Sequence, residues 1–222
     1  MVNDILANDT LANDILASDI VRAVLDRLPM GVIMVTGAGR VLQYNVRAGR
    51  LLAAGDAFLI DPQGRFRLTH QASNQEMYNT IHALVSGGDA TCALSAPRSS
   101  DRAPLSVLVV PVGGRQGQQG VVIFLAAPEE PVDIDPAVLS RLYGLTAAES
   151  RLVLGLLRGQ RLEALAAEGG VSVHTVRSQL KTVFRKTGVS RQAELVKLIL
   201  TGPAALRTGH QGAELHKGPS SL

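Results

Sequence analysis

The feature that most constrains the fold is a series of helix start and stop signals over residues 145–200. Thr146 and Glu149 have the spacing of a capping box, in which each side chain hydrogen-bonds to the other residue's backbone N–H. Apolar residues follow at helical intervals until Gly159. Four helices are predicted, over residues 147–158, 162–168, 173–187 and 191–200. The pattern is typical of a small all-α domain, to which we assign residues 141–202.

The third predicted helix has two chemically different sides. Its apolar side chains fall within about 100° of arc, which is wide enough to pack on the first two helices: Val173, Val176, Leu180, Val183 and Phe184. The other side carries Arg177, Lys181 and Arg185 at intervals of four residues. Residues 171–193 contain no carboxylate that would neutralise them. The pattern therefore predicts a helix whose apolar side packs on its neighbours and whose other side is a cationic surface.

Charge is distributed unevenly along the whole chain. Residues 1–140 carry 10 Lys/Arg and 14 Asp/Glu, whereas residues 141–222 carry 12 and 5, and the balances of −4 and +7 give the net charge of +3. We therefore expect the C-terminal part to meet a polyanion. A helix fits the major groove of double-stranded DNA, where arginine and lysine can donate to base edges. A helical domain that grips protein partners is the alternative, although protein interfaces are depleted in lysine at their core.

Several stretches of this region resemble the LuxR-type helix-turn-helix. They are residues 145–154 (LTAAESRLVL), 171–177 (VSVHTVR) and 184–196 (FRKTGVSRQAELV). The resemblance implies a transcription regulator whose recognition helix contacts DNA bases through Arg177, Ser178 and Lys181. The predicted contacts with DNA phosphates are Ser172, His174, Thr175, Gln179, Arg185 and Lys186.

The fourth predicted helix has more apolar surface than one buried face requires. Its apolar residues cover about 200° of arc: Leu195, Val196, Leu198, Ile199 and Leu200. Spare apolar surface favours association with a second copy, and we expect a homodimer through Leu195, Leu198 and Ile199. The resemblance implies the same, and a dimer would contact two half-sites. The alternative is that this surface packs on the N-terminal domain.

The sequence pattern of residues 28–127 predicts an α+β domain with about five antiparallel strands. Runs rich in β-branched residues alternate with glycine-rich turns; the predicted strands cover 31–36, 41–45, 91–95, 105–111 and 121–126, and the predicted helices 46–54 and 74–85. The opening, residues 31–54, resembles that of a PAS domain, with a strand, a Gly-Arg turn, a strand that ends in Asn45 and a helix. The resemblance implies a small-molecule sensor or a dimerisation platform, and both stay open. A generic α+β sheet is the alternative.

The remaining segments are predicted from local patterns. Residues 1–27 are predicted to be an N-terminal helical segment, although their five-residue repeat gives no single apolar stripe. Within this region a helix is predicted over 15–28. Residues 128–140 are predicted as a linker, and residues 203–222 as a flexible tail.

Several classes of function and location are disfavoured by composition. No window reaches about 18 uninterrupted apolar residues, and aspartates interrupt the N-terminus where a secretory signal would be apolar. The single cysteine, Cys92, suits a reducing compartment, so we expect a cytoplasmic protein without membrane contact. His70 or His82 could in principle bind haem, but a lone histidine is more often structural, and no cofactor is evident. No set of nucleophile, base and metal ligands converges, so we do not expect an enzyme.

Overall fold

The computed structural model of the protein describes residues 19–86, 91–113, 119–130 and 133–208. The chain divides into two compact units between Glu130 and Pro131. None of the helices in these ranges is long and apolar enough to cross a membrane.

The first unit is an α+β domain. Its elements in chain order are α1 (residues 19–25), β1 (Gly31–Thr36), β2 (Val41–Tyr44), α2 (Val46–Ala54), β3 (Phe58–Ile60), β4 (Phe66–Leu68), α3 (Gln71–Val85), β5 (Cys92–Ala96), β6 (Leu105–Gly113) and β7 (Gln119–Ala126). Five strands form one antiparallel sheet in the order β2-β1-β7-β6-β5. The predicted five-stranded antiparallel sheet is therefore confirmed.

The core of the first unit lies on one face of this sheet. Ile123 of β7 pairs with Ile33 of β1 on one side and with Val109 of β6 on the other, and all three are at most 2% exposed. These three side chains lie on the same face of the sheet, because alternating side chains of a strand point to the same face. Helix α3 covers that face with Met77 and Ile81, which are buried in the same cluster. Cys92 belongs to the cluster too, as a small buried side chain.

A second, two-stranded sheet was not predicted from the sequence. Strands β3 and β4 pair antiparallel across the turn that contains Asp61 and Gly64. With three residues each, these strands are too short to show an alternating pattern. Helix α3 also begins three residues before the predicted start, because the Nδ1 atom of His70 accepts a hydrogen bond from the backbone N–H of Ser73.

Helix α1 ends earlier than predicted. The prediction covered residues 15–28, of which 15–18 lie outside the described residues, and the helix ends at residue 25. The carbonyl oxygen of Leu25 accepts a hydrogen bond from the Asn45 side chain, and the Asp26 carboxylate accepts one from the backbone N–H of Val46. These two contacts turn the chain towards the sheet before Pro29 is reached.

Asn45 joins three segments of the first unit and is only 1% exposed. Its Oδ1 atom accepts hydrogen bonds from the backbone N–H groups of Val32 and Ala48, both at 2.9 Å. Its Nδ2 atom donates to the carbonyl oxygens of Leu25 and Met30, also at 2.9 Å. One amide therefore caps α2, fixes β1 and holds the end of α1.

We predict that Asn45→Ala lowers the free energy of unfolding of the first unit by on the order of 3 kcal/mol, because buried N–H and C=O groups lose their partners. Urea unfolding, followed through NMR signals of this unit, measures the change. Asn79→Ala, at an exposed position of α3, is the matched control and should change stability by less than about 0.5 kcal/mol. Equal effects of the two substitutions would contradict the role assigned to Asn45.

The second unit is all-helical and contains five α-helices rather than the predicted four. They are α4 (Pro136–Tyr143), α5 (Ala147–Leu157), α6 (Leu162–Glu168), α7 (Val173–Thr187) and α8 (Gln192–Thr201), followed by a short 3₁₀ helix (Pro203–Ala205). Helix α4 begins within the last part of the predicted linker of residues 128–140 and extends beyond it. Asp135 caps it by accepting from the backbone N–H of Ala137 at 2.8 Å, and Pro136 occupies its first position.

The predicted flexible tail begins too early. Ala204 and Ala205 are buried, the hydroxyl of Thr208 donates to Asp135 at 3.1 Å, and Arg207 forms an ion pair with Asp133. Residues 203–208 therefore close the second unit by packing against the start of α4. Residues 209–222 lie outside the described residues.

The predicted dimerisation residues Leu195 and Ile199 are inside the core of the second unit. They are 1% and 0% exposed and belong to one cluster with Ile134, Leu139 and Ala204. The prediction was wrong for these two residues, because the wide apolar arc of α8 packs into the core of its own unit, where α8 contacts the additional 3₁₀ helix. Leu198 is half-buried, and its role in dimerisation stays a prediction.

Candidate nucleic-acid interface

The candidate site is the exposed side of α7, and the buried side of the helix fixes its orientation. Val176, Leu180 and Val183 are 2%, 8% and 0% exposed and belong to the core of the second unit. The predicted N-cap is confirmed, since the hydroxyl of Ser172 accepts from the backbone N–H of Thr175 at 3.1 Å. The opposite side of a helix held in this way must face away from the core.

Helices α5 and α6 approach each other closely, and a tight turn leads from α6 to the start of α7. A Cβ atom at Gly155 would lie 2.2 Å from Cδ2 of Leu165, so a larger residue near the end of α5 would require the Leu165 side chain of α6 to move. The turn between α6 and α7 contains Gly170 at φ 61°, and Val171 donates its N–H to the carbonyl of Ala166. This arrangement is a helix, a tight turn and a second helix.

The exposed side of α7 carries the three cations that the sequence predicted. Arg177, Lys181 and Arg185 are exposed, and their side chains form no ion pair or hydrogen bond with the part of the chain that the structure describes. Ser178 is exposed between them. Because the donors of these side chains are not used within the unit, they are available to an external acceptor.

The predicted phosphate contacts at the start of α7 share one surface. Ser172, His174 and Thr175 are exposed, and the hydroxyls of Ser172 and Thr175 are 2.9 Å apart. The first N–H groups of a helix lack intrahelical partners and attract anions. Gln179 is half-buried, one turn farther along.

Lys186 has a role that the sequence did not show. Its Nζ atom donates to the Glu149 carboxylate at 2.6 Å and to the carbonyl oxygen of Gly144 at 3.0 Å. The side chain is 27% exposed, in contrast to the free cations on the other side of α7. We therefore leave Lys186 out of the candidate interface, because its ammonium group already joins α7 to the start of α5.

Glu149 is the acceptor in this contact and also completes the capping box. Its carboxylate accepts from the backbone N–H of Thr146 at 2.7 Å, while the Thr146 hydroxyl accepts from the N–H of Glu149 at 3.3 Å. The predicted capping box is thus confirmed. Burial acts to raise the pKa of Glu149, but the hydrogen bonds from Lys186 and Thr146 outweigh it and hold the pKa below its ordinary value of 4.5.

Three comparisons with known proteins add little to this description. The chain matches no protein-family model and no curated protein. Among solved structures it is similar to a phage VqmA–DPO complex, with 16% identity over 87% of this chain and 92% of that chain and a TM-score of 0.39.

Two further structures have comparable scores. For a VqmA–ligand–DNA complex from Vibrio cholera the values are 18%, 85% and 96%, with a TM-score of 0.36. For the PAS domain of Bordetella pertussis BvgS they are 13%, 58% and 95%, with a TM-score of 0.38. Similarities this weak identify neither the fold nor the function of the chain.

We predict that Glu149→Gln lowers the free energy of unfolding of the second unit at neutral pH by about 1–3 kcal/mol, because a buried charged partner of Lys186 is lost. The pKa of Glu149 is lower in the folded state, so its contribution is present above pH 4.5 and is lost as the pH falls through the lowered value. Urea unfolding from pH 7 to pH 3 should therefore show wild type and variant converging at acidic pH.

The matched control for this prediction is Glu163→Gln, at an exposed position of α6. It should follow the wild type across the whole pH range. A constant difference between Glu149→Gln and wild type at all pH values would show that the charge of Glu149 does not contribute.

Proposed function

We propose that this protein is a DNA-binding transcription regulator that inserts α7 into the major groove. The observation that carries the proposal is the row formed by Arg177, Lys181 and Arg185, which are exposed and have no partners within the described ranges of the chain. Surface helices usually pair opposite charges at intervals of three or four residues, and this helix does not. Phosphates and guanine edges are the acceptors that such a row fits.

The assignment of contacts follows the resemblance to the LuxR-type helix-turn-helix. Arg177, Ser178 and Lys181 are assigned to bases, because they match the positions through which that family contacts bases. Exposed residues at either end of α7 are assigned to phosphates, together with half-buried Gln179: Ser172, His174, Thr175, Gln179 and Arg185.

The first unit is proposed to sense a ligand or to set the geometry of a homodimer. A dimer would give two recognition helices and a two-fold related operator. Since Leu195 and Ile199 are buried within one copy, the proposed contact of α8 is restricted to its outer residues, such as Leu198 and Leu200. Analytical ultracentrifugation of the full chain, alone and on DNA, tests the dimer separately from DNA binding.

The DNA-binding proposal is tested by mapping bound DNA across the genome of a host and then measuring affinity for the recovered operator by fluorescence anisotropy. Arg177→Ala and Lys181→Ala should each weaken binding by about 1–3 kcal/mol, because each removes donors to a base or phosphate. The change should be largest for a bidentate contact with guanine.

The control variant is Arg158→Ala, which removes an exposed cation at the end of α5 rather than on α7. Its affinity for the operator should stay close to that of the wild type. If both α7 variants bound the operator as tightly as Arg158→Ala, the recognition-helix assignment would be wrong.

A further inference from the structure

A cleft on the first unit combines cationic side chains with rigid walls. It has a volume of about 410 Å³ and lies where the β1–β2 turn, the β3–β4 turn and α3 meet. Arg65 and Arg67 line it from the hairpin, and Tyr78 and His82 line it from α3. No carboxylate is among the residues that line this cleft. The cleft belongs to the first unit, whereas α7 belongs to the second.

Both arginines are fixed by the same carboxylate. Oδ2 of Asp61 accepts from Nε of Arg65 at 3.0 Å and from Nε of Arg67 at 3.1 Å. Its Oδ1 atom accepts from the backbone N–H groups of Gln63 and Arg65. Burial acts to raise the pKa of Asp61, but the hydrogen bonds from Arg65 and Arg67 outweigh it and bring the pKa to about 2. Asp61 is therefore a charged anchor at neutral pH.

One carboxylate does not balance two guanidinium groups. Arg65 and Arg67 each use Nε to reach Asp61, and their Nη atoms have no acceptor among the residues that the structure describes. The side chains are 40% and 33% exposed, so these donors are accessible. Arg40 pairs through its backbone with Arg65 in an isolated bridge and adds a further cation beside the hairpin.

The walls of the cleft are tied to one another, so the arginines are held before any ligand arrives. The ring of Tyr78 lies 4.9 Å from the guanidinium carbon of Arg67, and its hydroxyl donates to the carbonyl of Phe66 at 2.8 Å. Gly39, at φ 77°, lets the β1–β2 turn approach this hydroxyl, because a Cβ there would lie 2.4 Å from it. A preorganised site loses less conformational entropy on binding.

We propose that this cleft binds a small organic anion through a carboxylate or phosphate group that accepts hydrogen bonds from the Nη atoms of Arg65 and Arg67. Guanidinium groups donate to these anions in a planar, two-pronged geometry. His82 at the rim offers a ring nitrogen to a second polar group of the ligand. Such an anion would be the class of ligand that the first unit senses. Binding of the anion does not depend on the proposed function, and only a regulatory effect of the anion rests on it.

Isothermal titration calorimetry of the full chain, without DNA and at constant ionic strength, tests this proposal. The probes are succinate, inorganic phosphate and neutral succinamide. We expect saturable binding of succinate or phosphate and none of succinamide. The anion that binds distinguishes a carboxylate ligand from a phosphate ligand.

Arg67→Gln and Arg65→Gln should each weaken binding about tenfold or more, because each removes charge-assisted hydrogen bonds. Arg22→Gln, at a position on α1 where the arginine also pairs with an aspartate, should bind as the wild type does. Absence of saturable binding by both anions, or unchanged affinity in Arg67→Gln, would overturn the proposal.

A readout on the wild-type chain keeps the test independent of variant folding. Binding of the anion in this cleft must shift the NMR signals of the Arg67 Nε–H group and the His82 ring. Saturable binding that leaves both signals unmoved would place the anion elsewhere and contradict the proposal. Since no DNA is present, this outcome leaves the DNA-binding proposal unaffected, and loss of operator binding would leave the anion site unaffected.

Discussion

The contact on which the second unit depends is that between Glu149 and Lys186. The same carboxylate caps the start of α5 and accepts from the ammonium group of α7, so the two helices share one buried acceptor. Removing either partner leaves the other charge poorly compensated in a place that water reaches only in part. The orientation of α7, and with it the direction in which its cations point, is therefore coupled to the first turn of α5.

The sequence predicts most of the helical unit because its signals are local. The capping box, the N-cap at Ser172 and the spacing of apolar residues each depend on neighbours within about one or two turns, and α6 and α7 have the predicted bounds. Helix α4 had local signals as well, namely Asp135 as N-cap, Pro136 at the first position and Gly144 at φ 64°. The prolines and glutamates of residues 128–131, just before it, led to the prediction of a linker.

Other features depend on contacts between distant residues, which local patterns do not show. Leu195 and Ile199 are buried in a cluster formed by residues from all the helices of the unit, so an apolar arc alone could not distinguish a dimer surface from a core. The role of Lys186 depends on a residue 37 positions away. The cleft at Arg65 and Arg67 arises from two strands of three residues each, whose pairing has no sequence period to reveal it.

The exposed cations of α7 also have a consequence for folding. Like charges one turn apart repel each other, so Arg177, Lys181 and Arg185 disfavour this helix in isolation. A segment of 15 residues is in any case marginal as a free helix in water. Helix α7 is therefore maintained by the burial of Val176, Leu180 and Val183, and the surface it presents exists only while the core is intact. Unfolding of the unit and loss of its cationic surface are a single cooperative event, which any ligand of that surface would oppose by mass action.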